Sequence, residues 1–189
     1  MVTVDGVPVK DYDLKALRAK IGYVMQKSEL FSDTIANNIR WGNKSAADAE
    51  IREAAETAQA MEFIEDRDDG FDDYIAEKGA SLSGGQKQRL SIARALARKP
   101  EILILDDATS ALDLATESKL RVGLEEKMKD TTVIMVAQRI ASVKNADRIA
   151  VIENGTIGAC APHDELMQTS ATYRDIYDSQ IRNGGEINE

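Results

Sequence analysis

The sequence predicts an α/β fold built on a parallel sheet, with a mainly helical segment inserted into it. Three observations carry this expectation. Ile102-Leu103-Ile104-Leu105 is a continuous apolar run of strand length, the pattern of a strand covered on both faces. Downstream of it, helical and strand patterns alternate, as they do when crossover helices pack on a parallel sheet. The middle third, 28–99, carries mostly helical patterns and reads as a subdomain set between two core parts, 1–27 and 100–189.

Val2 to Val9 reads as a hairpin turning at Asp5-Gly6, since Asp-Gly supplies the positive φ angles of a tight two-residue turn. Ile21 to Met25 is a short apolar run ending at Gln26 and reads as a strand. Thr34 to Arg40 and Ala46 to Ala60 read as helices, the second with Ile51, Ala54, Ala55 and Ala58 on one face. The acidic run Glu65 to Gly70 reads as a loop. A helix is expected from Gln86 to about Arg98, with Leu90, Ala93, Leu96 and Ala97 aligned, ended by Pro100. Beyond the Ile102 run come a helix over 115–129, a strand over Thr132 to Val136 and a strand pair around Asn154-Gly155. Helices over 164–168 and 172–181 follow, then a polar tail after Asn183.

The 189 residues suffice for one domain with a real core. A net charge of −9 without a Lys/Arg block argues against nucleic acid as a partner. The single cysteine, Cys160, excludes an internal disulfide framework and suits a reducing compartment, where it reads as a small residue near a strand end. No apolar run reaches the ~20 residues of a membrane-spanning helix, so membrane contact is expected through a partner.

Two stretches carry chemistry. In Leu82-Ser83-Gly84-Gly85-Gln86, Ser83 and Gln86 have the spacing of a capping box at a helix start. That alone would be a structural device. The two glycines add a second reading, because they let backbone N–H groups approach a ligand at the positive end of a helix, a place suited to phosphate. In Ile102 to Asp107, an apolar strand ends in two carboxylates, placing negative charge at the sheet edge where open α/β folds bind ligands.

The five residues from Leu82 to Gln86 match the signature motif of ABC ATP-binding domains letter for letter, and other segments follow in that family's order. Asp106 resembles the Walker B aspartate, which holds Mg²⁺. Gln26 resembles the Q-loop glutamine, which contacts Mg²⁺ and the attacking water. Ser110-Ala111-Leu112-Asp113 resembles the D-loop, which crosses a dimer interface. Gln138 stands where the family has its switch histidine. Phe31-Ser32-Asp33-Thr34-Ile35 through Asn38-Ile39, and Glu77-Lys78-Gly79, resemble exporter-type domains. The resemblance covers nearly the whole chain. It implies a P-loop NTPase (RecA-like) core with an inserted ABC helical subdomain, lacking the N-terminal P-loop strand. It further implies ATP and Mg²⁺ as cofactors and ATPase activity coupled to transport. The implied partners are a second ABC nucleotide-binding domain, paired head to tail, and the coupling helices of a transmembrane domain. The implied location is the cytoplasmic face of the cell membrane.

Departures from the family sharpen the expectation. No G-x-x-x-x-G-K-[ST] occurs. The family places it upstream of the segment that begins here at Met1, so the chain is expected to be N-terminally truncated and not to bind ATP tightly alone. Asp107 stands where the family has its catalytic glutamate, one methylene short. A well-placed general base is worth about 10²–10⁴-fold. Gln138 still donates a hydrogen bond but cannot carry imidazolium charge. The sole histidine, His163, reads as part of a helix start. Asp73-Tyr74 replaces the usual Thr-Glu in the loop facing the coupling helices. Weak hydrolytic residues beside an untouched Ser83, Gly84, Gly85 and Gln86 resemble the degenerate half of a heterodimeric exporter, whose signature completes the partner's ATP site. A non-hydrolysing regulatory or interaction module, and a soluble ABC ATPase, are the alternatives. The core sheet, short of one strand, is expected to expose apolar faces.

Overall fold

The computed structural model describes residues 1–76 and 79–182. Glu77 and Lys78 of the exporter-like Glu77-Lys78-Gly79, and the tail from Asn183, lie outside the described residues. The chain divides into two compact units, Met1–Val136 and Ala137–Glu189.

The first unit opens on the expected hairpin. Strands β1 (Thr3–Val4) and β2 (Val7–Pro8) pair antiparallel, and Asp5 and Gly6 take φ angles of 50° and 77°. Helix α1 (Leu14–Lys20) follows, capped by Asp13, whose carboxylate accepts the Ala16 N–H at 2.8 Å. Strand β3 (Ile21–Val24) leads to a two-residue strand β4 (Asp33–Thr34), which pairs antiparallel with β5 (Tyr74–Ile75). Between them lie α2 (Ile35–Arg40), α3 (Asp48–Thr57) and α4 (Met61–Glu65). Helix α5 (Gly84–Leu96), strand β6 (Ile102–Asp106), helix α6 (Leu114–Lys127) and strand β7 (Thr132–Val136) complete the unit.

The sheet is parallel, in the order β3-β6-β7, with Tyr23 level with Ile104 and Ile134, and Asp106 level with Val136. The alternation of a strand sends Gly22, Val24, Leu103 and Leu105 to one face, which is buried. Tyr23, Ile104 and Ile134 lie on the other face, where Tyr23 is 53% and Ile134 47% exposed. The run Ile102 to Leu105 predicts coverage on both faces. One face is covered, and Ile102 and Ile104 are only half-buried.

The helical segment shares one apolar core with the sheet residues Val24, Leu103 and Leu105. Ile51, Ala54, Ala55 and Ala58 are buried, as the spacing predicts, with Ile35, Ile39, Phe63, Ile64, Leu90 and Ala93. One polar knot ties it together. Asn38 is fully buried; its Oδ1 accepts the Phe31 N–H and an Arg94 N–H, both at 2.9 Å, and its Nδ2 donates to the carbonyls of Phe31 and Thr34. Arg94 also donates to the carbonyls of Asn38 and Glu29 and lies over the Phe31 ring. Burial lowers its guanidinium pKa below the ordinary value.

The second unit comprises α7 (Ile140–Val143), an antiparallel pair β8 (Ile149–Glu153) and β9 (Thr156–Ala161), α8 (His163–Thr169) and α9 (Ala171–Arg182). The β8–β9 turn is at Asn154-Gly155, both at positive φ. Its small core gathers Ile140, Ile149, Val151, Ala161, Leu166 and Tyr173. His163 begins α8, as expected, with Nδ1 2.9 Å from the Tyr173 hydroxyl.

Several elements differ from expectation. The α3 helix is two residues shorter at its start and three at its end, and α5 starts two residues earlier, taking both glycines into its first turn. Helices α1, α4 and α7 and the β4–β5 pair are additional; Glu65 ends α4 rather than opening a loop.

Candidate functional site

Two groups of candidate residues form within the first unit. The first lies at the carboxyl edge of the sheet. Strand β6 ends at Asp106, whose Oδ2 accepts the Tyr23 hydroxyl at 2.7 Å. That bond to the carboxylate holds the Tyr23 hydroxyl above its ordinary pKa. The next residue, Asp107, leaves the strand at φ 49°, a left-handed conformation that Asp tolerates better than most residues. Its N–H donates to the Val136 carbonyl at 2.9 Å, closing the last rung beside β7. Asp107 is 8% exposed, and its Oδ2 accepts from Gln26 Nε2 at 2.8 Å. Its carbonyl accepts the Ser110 hydroxyl at 2.9 Å. The turn at Asp107 thus gives successive carboxylates different partners.

The second group surrounds the start of α5. Ser83 is the N-cap; its hydroxyl accepts the Gln86 N–H at 3.2 Å, and Gln86 Oε1 accepts the Ser83 N–H at 2.9 Å. The reciprocal pair of a capping box is therefore complete. It fixes where the helix begins despite two glycines. First-turn N–H groups, here those of Gly84 and Gly85, have no intrahelical acceptor. They border an open depression of about 310 Å³, lined also by Ser83, Arg89 and Ala111 to Asp113. Asp113 caps α6, accepting the Thr116 N–H at 2.9 Å and hydroxyl at 2.7 Å, and these bonds lower its carboxyl pKa. Arg89 donates to the Gln59 carbonyl and lies over the Phe63 ring; burial lowers its pKa.

Of the predicted residues, Gln26, Asp106 and Asp107 gather at the sheet edge, and Ser83, Gly84, Gly85 and Asp113 line the depression, with Gln86 completing the cap. Gln138 belongs to the second unit, where its carbonyl accepts Gln180 Nε2 at 2.8 Å. Sequence reasoning missed Tyr23, Arg89 and Gln88, a buried amide whose Oε1 accepts the Ala111 N–H at 3.0 Å. It also missed the buried bond from the Thr109 hydroxyl to Glu117.

No three His, Cys, Asp or Glu side chains gather to hold a metal among the described residues. A strand-end carboxylate near a side-chain amide nevertheless fits Mg²⁺, which keeps several waters and takes one or two protein carboxylates together with phosphate oxygens.

A parallel sheet with aspartates at its carboxyl edge places them where open α/β folds bind their ligands. The family model for the ABC transporter matches residues 1–110, and the chain belongs to that family as an ATP-binding domain. The Bacillus subtilis (strain 168) "Uncharacterized ABC transporter ATP-binding protein YknU" is 49% identical over all 189 residues, which span 32% of its length. The "ATP-dependent lipid A-core flippase" of Pasteurella multocida (strain Pm70) is 46% identical over 95% of this chain and 31% of its own. The structure of a bacterial Atm1-family ABC exporter with ATP bound superposes with a TM-score of 0.91 at 35% identity. It covers 94% of this chain and 31% of that one. The chain thus spans about a third of the length of the relatives it matches.

Proposed function

We propose that this chain supplies part of the ATP-binding machinery of an exporter, coupling ATP binding and hydrolysis to movement of a substrate across a membrane. Segments 1–27 and 100–189 form its nucleotide-binding core, and 28–99 its helical subdomain. No helix among the described residues is long and apolar enough to cross a membrane. In this reading, transmembrane coupling helices hold the chain at the cytoplasmic face of the membrane. The observation that carries it is the capped helix start, with Ser83, Gly84 and Gly85 bordering a depression that can admit phosphate.

Ser83, Gly84 and Gly85 would complete an ATP site held mainly by a second, paired nucleotide-binding domain, with Asp113 at the contact between the two. Asp106 and Gln26 would hold Mg²⁺ beside this chain's own nucleotide. When bound, the ion would neutralise phosphate charge. Asp107 is the general-base candidate and Gln138 the γ-phosphate donor. Both are weak versions of the family's residues, which makes this the slow half of a heterodimer.

The test is single-turnover hydrolysis at each site of the full-length heterodimer. Ser83→Ala should slow the opposing site, and Asp107→Glu with Gln138→His should speed this chain's own. Unchanged rates in both would overturn the assignment. The packing of Asp107 gives a second reading some weight. With its carboxylate held by Gln26 and little exposed, the chain could serve as a non-hydrolysing regulatory module. The double substitution would then leave its own site silent.

A further inference from the structure

Gln88 lies one turn into α5 and is only 4% exposed. Its Oε1 accepts the N–H of Ala111, 23 positions away, at 3.0 Å. A buried amide is costly unless bonded, and an apolar side chain of similar volume would fill the same space without that cost. What the amide adds is position.

The segment it holds has little freedom. A Cβ built on Gly85 would stand 3.0 Å from the Ala111 carbonyl oxygen, so the segment's backbone lies directly on the helix start. Only Ala108, Thr109 and Ser110 separate Ala111 from Asp107. Ala108 and Thr109 are buried, and the Thr109 hydroxyl donates to Glu117 at 2.6 Å. The Ser110 hydroxyl donates to the Asp107 carbonyl, and the Leu112 N–H to the Thr109 carbonyl at 3.0 Å. A bonded path therefore runs from Gln26 through Asp107 and Ser110 to Ala111, and through Gln88 to the helix that Ser83 caps.

We propose that Gln88 is a positioning residue that makes the sheet-edge carboxylate and the capped helix start one mechanical body. A change of state at Asp107 is thereby passed to Ser83, Gly84 and Gly85. This rests on the reading that the helix start serves an ATP site on the paired domain. It adds that the link between this chain's own nucleotide site and the opposing one depends on the hydrogen bond from Ala111 to Gln88.

A double-mutant cycle in the full-length paired transporter tests it, read as the single-turnover rate at the opposing site. Asp107→Asn should slow that rate about fivefold with Gln88 present and less than about twofold in a Gln88→Met background, since coupled residues show such interactions and uncoupled ones do not. Gln88→Glu keeps an acceptor oxygen and should restore the full effect. Gln88→Ala replaces Gln88→Met if that variant does not assemble. Equal effects of Asp107→Asn with and without the Gln88 amide, or no effect in either, would overturn the role of Gln88. Ser83→Ala separates the two ideas: if it leaves the opposing site unchanged, the reading beneath the proposal fails. If it slows that site while the cycle shows no coupling, only the Gln88 proposal fails.

Discussion

Gln26 Nε2 and Asp107 Oδ2 are joined at 2.8 Å across 81 positions of sequence, linking the end of β3 to the residue after β6. Gln26 is exposed, so water can replace much of this bond. Gln26→Ala should cost about 1 kcal/mol of stability, the ordinary net worth of a hydrogen bond. The backbone at Asp107 imposes a separate demand. At φ 49°, Asp107→Asn should be tolerated, whereas Asp107→Val should lose a further ~1–3 kcal/mol to backbone strain. Urea unfolding of the three variants gives the comparison.

Three glycines should rank by what a methyl group would meet. At Gly42 a Cβ would stand 1.9 Å from the Arg94 carbonyl oxygen, so Gly42→Ala must push α5 away. At Gly85 the nearest atom is the Ala111 carbonyl oxygen at 3.0 Å, and at Gly84 the Ala111 Cβ at 3.6 Å. Overpacking costs typically ~1–3 kcal/mol and occasionally more, so Gly42→Ala should exceed that range and Gly85→Ala should fall within it. Gly84→Ala should be neutral or gain up to ~1 kcal/mol by restricting the unfolded chain. A different order in thermal melts would refute the packing described around α5.

Asn38 should be among the least replaceable polar residues of the first unit. Asn38→Leu would remove the side-chain partner of the Phe31 N–H, the Phe31 carbonyl and an Arg94 N–H, all at least part-buried bonds. Each such loss costs ~1–3 kcal/mol, so the chain should fail to accumulate in folded form. Soluble yield and circular dichroism would report it.

The shifted groups at the two edges respond at opposite ends of the pH scale. The Tyr23 pKa is raised above 10.0 by its bond to Asp106, so its contribution is present below pH 10 and lost as pH rises through the folded-state value. Tyr23→Phe should flatten the alkaline limb of a stability–pH curve. The Asp113 pKa is lowered below 3.8 by Thr116, so its contribution is present above that value and lost as pH falls through the folded-state one. Asp113→Ala should flatten the acid limb.

Local signals made much of the fold legible. Asp5-Gly6, the Ser83/Gln86 pair and the apolar run of β6 each specify their element through short-range chemistry. Helix α1 escaped because it buries no residue, so no apolar periodicity marks it; only its Asp13 cap could have shown it. The α4 helix, five residues long, is too short for a periodic signal. Strands β4 and β5 have two residues each and exist through a pairing across 40 positions. At the site, family order picked out Gln26, Asp106, Asp107 and Ser83. Tyr23, Gln88 and Arg89 were not legible, because each acts through a partner that only the folded chain brings near.

The open face of the sheet has a practical consequence. Tyr23, Ile134 and Val136, the last 51% exposed, offer a flat apolar surface. Made as an isolated polypeptide, the chain should bind fluorescent hydrophobic dyes while still folded, sediment as a concentration-dependent mixture and be held back by cellular chaperones. Its net charge of −9 would slow that clumping at low ionic strength, and added salt would hasten it. Ile134→Thr with Val136→Thr should yield a better-behaved reagent and leave the bond from Tyr23 to Asp106 in place.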